Sequence, residues 1–157
     1  MEKSLLEFSN LTSESDTFPS NSDFYFRNRG NSKAKNEDFR GAIKDYTKAL
    51  EIRPNDADTW CYLGIFKIEI DDYKGAVADL TNSINIDPLH SWGYLQRGIA
   101  KMGLIEYKGA NSDICKAIEI DPDFSEAYFA RGCLRVELGN PVEGGLDFKK
   151  AYELGLS

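Results

Sequence analysis

Histidine, cysteine and long apolar runs are scarce in this sequence, and each scarcity excludes a class of function. The 157 residues contain one histidine and three cysteines, and the cysteines are widely spaced without a CxxC pair. We therefore expect no metal site, because zinc ligands come in closely spaced groups of cysteine and histidine. No apolar run approaches the roughly 20 residues that a membrane-spanning helix needs, and no signal peptide is recognisable. A membrane partner is not predicted.

Positive charge is also in deficit. The formal net charge is −7 at pH 7. Proteins that bind nucleic acid neutralise phosphates with lysine and arginine, so this balance predicts no nucleic-acid partner. The odd number of cysteines favours reduced thiols over a disulfide framework, which is typical of a cytoplasmic protein.

Groupings that carry catalysis are missing as well. Gly144 and Gly145 are not followed by the lysine and hydroxyl residue of a phosphate-binding loop. His90, the single histidine, has no orienting partner near it in sequence, so we interpret it as a solvated loop residue. The sequence thus predicts a protein that is not an enzyme and holds no cofactor.

What the sequence does contain is a repeat of 34 residues. Pro54, Pro88 and Pro122 lie 34 residues apart. The same interval separates four glycines and four aspartates, namely Gly30, Gly64, Gly98 and Gly132, and Asp45, Asp79, Asp113 and Asp147. Marks at one fixed period indicate a supersecondary unit copied in tandem. The units are 23–56, 57–90, 91–124 and 125–157, and repeat positions below count from the first residue of each.

Each unit is predicted to form two helices, called A and B, joined by a short break. In the first unit the helices are expected over 24–35 and 39–52, and Asn36, Glu37 and Asp38 form the break. The apolar residues of helix B recur at spacings of three, one, three, three and one, which indicates a helical stripe. Proline at the end of a unit cannot continue the helix.

The repeats resemble the tetratricopeptide repeat family. Repeat position 4 is aromatic throughout, position 8 is always glycine, and positions 20 and 27 are mostly alanine; the aromatic residues are Phe26, Trp60, Tyr94 and Tyr128. The resemblance covers residues 23–157 and implies an all-α fold, a right-handed superhelical solenoid of four helix-turn-helix repeats. Residues 1–22 are expected to be a separate N-terminal segment, either flexible or docked on the repeats.

Departures from the family pattern recur at two repeat positions and in the last repeat. Position 7 is usually leucine but here holds Arg29, Leu63, Arg97 and Arg131, and position 11 is always basic. In the geometry of these repeats position 7 faces helix B, which predicts structural ion pairs of the three arginines with Asp45, Asp113 and Asp147. The last repeat has lost several pattern residues, and we expect one side of its second helix to be uncovered.

The resemblance also implies that the inner face of the A helices binds a protein or peptide segment. The predicted binding residues come from all four repeats: Arg27, Asn28, Asn31, Tyr62, Ile65, Trp92, Gln96, Ile99, Phe129 and Cys133. The first repeat contributes polar residues, and the later repeats contribute an apolar surface with aromatic anchors. The alternative interpretation is that these side chains pack against one another.

Some members of the family hold the terminal carboxylates of a partner with lysine, arginine and asparagine from three A helices. Arg27 and Asn31 come close to that pattern, but Tyr62 replaces the next asparagine. The third helix offers Trp92 and Gln96 without a positive charge. We therefore predict a non-catalytic scaffold that lacks this clamp. The alternative is a homo-oligomeric or self-occluded protein that uses its N-terminal segment or last helix for self-association.

Overall fold

The computed structural model describes residues 19–156, and all regular structure in that range is α-helical. The chain divides into two compact units at Pro54 and Asn55. The first unit contains α1 (Asp23–Lys35) and α2 (Phe39–Ile52). The second unit contains α3 (Ala57–Ile68), α4 (Tyr73–Ile86), α5 (Ser91–Gly103), α6 (Tyr107–Ile120), α7 (Ser125–Glu137) and α8 (Pro141–Glu153). Most of the predicted segment 1–22 lies outside the described residues.

Successive helices pack as hairpins, α1 on α2, α3 on α4, α5 on α6 and α7 on α8. The predicted all-α class and its four helix-turn-helix repeats are therefore confirmed. The bounds of the first two helices agree with the prediction to within one residue. The last hairpin forms although Pro141 replaces an aromatic residue, because proline is well tolerated in the first turn of a helix.

The break between the helices of each hairpin has one conformation in all four repeats. Glu37, Asp71, Ile105 and Gly139 occupy repeat position 15, and their φ angles are 60°, 61°, 63° and 80°. This left-handed conformation favours glycine, but only the last repeat has one there. Aspartate side chains cap the following helix in the first two repeats: Asp38 and Asp72 accept hydrogen bonds from the backbone N–H of Gly41 and Gly75.

Glycine at repeat position 8 allows the two helices of a hairpin to approach closely. A Cβ at Gly98 would lie 2.7 Å from Ile114 Cγ1 and 3.2 Å from the carbonyl oxygen of Ala110. Ile114 is fully buried in the core that α5, α6 and α7 share, together with Leu95 and Leu134. The recurring glycine is therefore explained by packing within the hairpin.

We expect Gly98→Ala to lower the free energy of unfolding by about 1–3 kcal/mol, since the added methyl group overpacks a filled core. Gly145→Ala in α8 is the matched control, because nothing lies within 4 Å of its Cβ position. There alanine should stabilise the helix by roughly 0.5–1 kcal/mol. Urea denaturation measures the change in the free energy of unfolding for both variants, which should have opposite signs. A Gly98→Ala protein as stable as the parent would contradict the close approach of the two helices.

Candidate functional site: an aromatic face on α3, α5 and α7

A buried aspartate of helix B holds each hairpin together. Arg97 Nε and Nη2 donate to Asp113 Oδ2 and Oδ1 at 2.8 and 2.7 Å. Arg131 makes the same two bonds to Asp147 at 2.9 and 2.7 Å. In the first unit Arg29 donates to Asp45 at 2.7 and 2.6 Å, and this bond lowers the pKa of the Asp45 carboxyl. The predicted ion pairs are confirmed in all three repeats that have the arginine.

A basic residue at repeat position 11 also pairs with the helix B aspartate in all four repeats, and these pairs were not predicted from the sequence. The basic residues at repeat position 11 reach the same aspartates at 2.6–2.9 Å; the pairs are Lys33–Asp45, Lys67–Asp79, Lys101–Asp113 and Arg135–Asp147. Their 34-residue period was a visible signal. The second repeat has Leu63 at position 7, so Lys67 is the cation recorded on Asp79 there. Burial raises the pKa of Asp79, although Lys67 opposes the shift.

Two of the position 7 arginines, Arg97 and Arg131, also contact an aromatic ring and the preceding hairpin. The Arg97 guanidinium carbon lies 5.5 Å from the centroid of the Tyr94 ring, which is a cation–π distance. Its Nη1 donates to Thr81 Oγ1 of α4 at 3.2 Å. Arg131 contacts Cys115 of α6 in the equivalent way, at 3.9 Å. Each of these arginines therefore connects its own hairpin to the one before it.

We expect Asp113→Asn to destabilise the protein by about 2–4 kcal/mol, because it leaves the half-buried Arg97 and Lys101 without their shared carboxylate. Asp79→Asn should cost clearly less, since Lys67 is the one cation that pairs with Asp79 among residues 19–156, and burial already disfavours the charge of Asp79. Thermal denaturation of the two variants side by side measures the difference. Equal losses would show that the number of cations on the carboxylate does not matter.

Positions 7, 8 and 11 of each A helix contact helix B, so the residues on the opposite side of the A helix point away from helix B. At 100° per residue, positions 2, 6, 9 and 13 lie opposite these three. We call the surface formed by positions 2, 5, 6, 9 and 13 of α3, α5 and α7 the A-helix face. Adjacent A helices in the second unit contact each other, so their faces are contiguous.

Three aromatic side chains stand out on the A-helix face, one from each helix. Tyr62 is 44%, Trp92 38% and Phe129 44% exposed. Trp92 lies 5.5 Å from Phe124, and Phe129 lies 5.3 Å from Phe148, centroid to centroid, so each ring rests on a neighbour while one side faces solvent. Exposed aromatic side chains on a packed support are typical of residues that anchor a partner.

The remaining predicted residues of this face are less exposed. Ile65 packs against the core of α3 and α4, and Ile99 against the core that α5, α6 and α7 share. Gln96 and Cys133 are half-buried as well. The alternative interpretation, that these side chains pack against one another, thus describes the two isoleucines in part, whereas the three aromatic residues are 38–44% exposed.

A pocket of about 320 Å³ opens on this face between α3 and α5, lined by Asp58, Cys61, Tyr62, His90 and Trp92. His90 precedes α5 and is only 17% exposed. Its Nδ1 lies 3.2 Å from Ser83 Oγ, and its Nε2 lies 3.1 Å from Asp58 Oδ1. The interpretation of His90 as a solvated residue without partners is therefore wrong. Folding brings both partners to it from other helices.

The Ser83–His90–Asp58 chain has the residue types of a catalytic triad without its geometry. Ser83 is completely buried, so its hydroxyl is closed to a substrate. Burial, and secondarily the Asp58 carboxylate, raises the pKa of the Cys61 thiol to about 12. A thiol that stays protonated at neutral pH is a poor nucleophile.

The part of the chain that the structure describes has neither a metal-binding cluster nor a membrane-spanning helix. Residues 19–156 contain no group of three or more histidine, cysteine or acidic side chains placed to hold a metal ion. Within the same residues, each helix is too short or too polar to span a bilayer.

The predicted residues of the first repeat lie on α1, in the other unit. Arg27 is half-buried, and Asn28 and Asn31 are exposed. The Asn31 side chain accepts a hydrogen bond from the Tyr46 hydroxyl of α2. That contact keeps Asn31 within its own hairpin. The role of these three residues in binding stays a prediction.

Comparison with known proteins supports the family assignment. Two models of the tetratricopeptide repeat match the chain, one over residues 25–56 and the other over residues 45–78. The first match covers the hairpin of α1 and α2. The second begins inside α2 and ends inside α4. No curated protein sequence matches the chain.

Solved structures of such proteins have the same fold. The TPR domain of Arabidopsis OM64 is 27% identical, with a TM-score of 0.71 over 73% of this chain and 95% of that one. MamA from Desulfovibrio magneticus RS-1 is 23% identical, with a TM-score of 0.77 over 85% and 76%. The first TPR of Spaghetti (RPAP3), solved with the HSP90 peptide SRMEEVD, is 20% identical, with a TM-score of 0.72 over 78% and 99%.

These matches identify tetratricopeptide repeats in residues 25–78, and the eight described helices of the chain fit four tandem repeats of that kind. Proteins of this family generally act as non-catalytic scaffolds for protein–protein interaction. The matches support, in general terms, a scaffold for protein–protein interaction.

Proposed function

We propose that the chain binds a segment of a partner protein on the A-helix face of α3, α5 and α7. The observation that carries the proposal is the row of Tyr62, Trp92 and Phe129, each 38–44% exposed and each on a different helix. The bound peptide in the RPAP3 structure supports a peptide ligand for this fold in general.

The proposed segment is held by apolar contacts and not by a carboxylate clamp. On the third A helix, Trp92 and Gln96 stand where the clamp needs positive charge. Arg97 and Lys101 of the same helix are engaged with Asp113 inside the hairpin. Free thiols at Cys61, Cys115 and Cys133 fit the predicted cytoplasmic location, which we retain as part of the proposal.

Trp92→Ala tests the aromatic row. Peptides selected on the full chain from a random 12-residue display library supply the ligand, and fluorescence polarisation supplies the affinity. We expect truncation of this anchor to weaken binding about thirtyfold, equivalent to about 2 kcal/mol. Circular dichroism checks that the variant remains helical, since the loss of the Phe124 contact should lower its stability only modestly.

Tyr152→Ala is the matched control, because Tyr152 is an aromatic residue of α8 with 67% exposure and lies off the A-helix face. Its affinity for the same peptides should equal that of the parent protein. Folded Trp92→Ala protein with unchanged affinity would contradict the proposal.

Self-association through α8 is the second candidate. Val142 and Leu146 are four residues apart on that helix and are 73% and 63% exposed. Exposed apolar side chains on one helix face favour an interface between copies of the chain. The other predicted route, through the N-terminal segment, falls on residues that the structure mostly does not describe.

Multi-angle light scattering of the full chain and of Leu146→Glu tests this candidate. If α8 joins two copies, the parent protein should have twice the molar mass of the chain, and the buried carboxylate in the variant should return it to a monomer. A monomeric parent at the highest accessible concentration would eliminate this candidate.

A further inference from the structure

The charges around the A-helix face are all of one sign. Asp58 and Glu126 lie at repeat position 2, and Glu69 and Glu137 lie at position 13. All four acidic residues are exposed. Positions 2, 5, 6, 9, 12 and 13 of α3, α5 and α7 contain no lysine or arginine. The aromatic row is therefore bordered by negative charge at both ends of α3 and α7, whereas α5 contributes no acidic residue.

The neighbouring basic side chains do not offset this charge. Lys67, Arg97, Lys101, Arg131 and Arg135 of the same helices each pair with a buried aspartate of helix B. The N-termini of α3 and α5 carry a partial positive charge. Asp58 in the first turn of α3 already opposes that charge with a full carboxylate.

The pocket between α3 and α5 combines this charge with aromatic walls. The rings of Tyr62 and Trp92 line it, and the Asp58 side chain at its edge is 67% exposed. Its volume of about 320 Å³ is at the lower limit for ligand pockets, which suits one long side chain. Aromatic faces attract cations through the ring quadrupole, and they also cover the aliphatic stem of lysine or arginine.

We infer that this pocket binds a lysine or arginine side chain of the partner segment. The two aromatic rings cover its stem and cationic head, and the Asp58 carboxylate pairs with the charge. His90 holds Asp58 in place through its Nε2 and is itself fixed by Ser83. The inference rests on the proposed function and specifies the ligand: an apolar segment with a basic residue between its apolar residues.

The test uses the same display selection on the full chain, with synthetic peptides for affinity measurement. Lysine or arginine should be enriched at one peptide position. Replacement of that residue by norleucine, which keeps the stem and removes the charge, should weaken binding to the parent protein about tenfold. On Asp58→Asn the same replacement should change affinity less than twofold, because the paired charge is already absent.

Glu143→Gln is the matched control variant. Glu143 is an exposed acidic residue in the first turn of α8, so its loss removes a comparable helix-terminus interaction off the A-helix face. On this variant, replacement of the basic peptide residue by norleucine should still weaken binding about tenfold. An equal loss on all three proteins would overturn the assignment of the charge to Asp58.

The remaining outcomes separate this inference from the proposed function. Peptides that need Trp92 but show no basic residue, or show acidic residues instead, would overturn the inference and leave the proposed function in place. If no selected peptide depends on Trp92, both are overturned.

Discussion

The repeats depend on a buried carboxylate that helix B extends to the basic residues of helix A. Asp45, Asp113 and Asp147 are each at most 4% exposed and each hold two cations, one of them a bidentate arginine. A charge at that depth is tolerated only if it is paired and hydrogen-bonded. The pairing therefore fixes the rotation of helix A about its axis within the hairpin.

Because of that rotation, the residues of an A helix that stabilise the hairpin and the residues proposed to face a partner lie on opposite sides of the helix. Positions 7, 8 and 11 are occupied by contacts with helix B, which leaves positions 2, 6 and 9 on the opposite side. In the second unit these are the positions of Asp58, Tyr62, Trp92 and their equivalents. The basic side chains of α3, α5 and α7 pair with aspartates of the B helices, and the acidic side chains on the A-helix face are exposed. The A-helix face therefore combines apolar rings with a negative border, and a segment with both basic and apolar residues complements it.

The repeat pattern predicted the hairpins, whereas several individual contacts were not predicted. The 34-residue spacing indicated the repeats, and the resemblance to the tetratricopeptide repeat implied that the position 7 arginine faces helix B, which predicted the Arg97–Asp113 pair. The second cation from Lys101 was missed, although the basic residue at position 11 recurs with the same period, because a long, flexible side chain has no preferred partner in sequence. His90 meets Ser83 and Asp58 only through the packing of α3, α4 and α5, and the positive φ of Ile105 contradicts the residue's own preference.

The two tryptophans of the chain allow a direct test of whether the A-helix face binds the partner segment. Trp92 is at position 2 on that face, whereas Trp60 is at position 4, on the side toward helix B. Their indole N–H signals in a ¹⁵N-labelled full chain should respond differently to a selected peptide. We predict that the Trp92 signal shifts on binding and that the Trp60 signal stays in place. Saturating binding with an unmoved Trp92 signal would contradict this prediction.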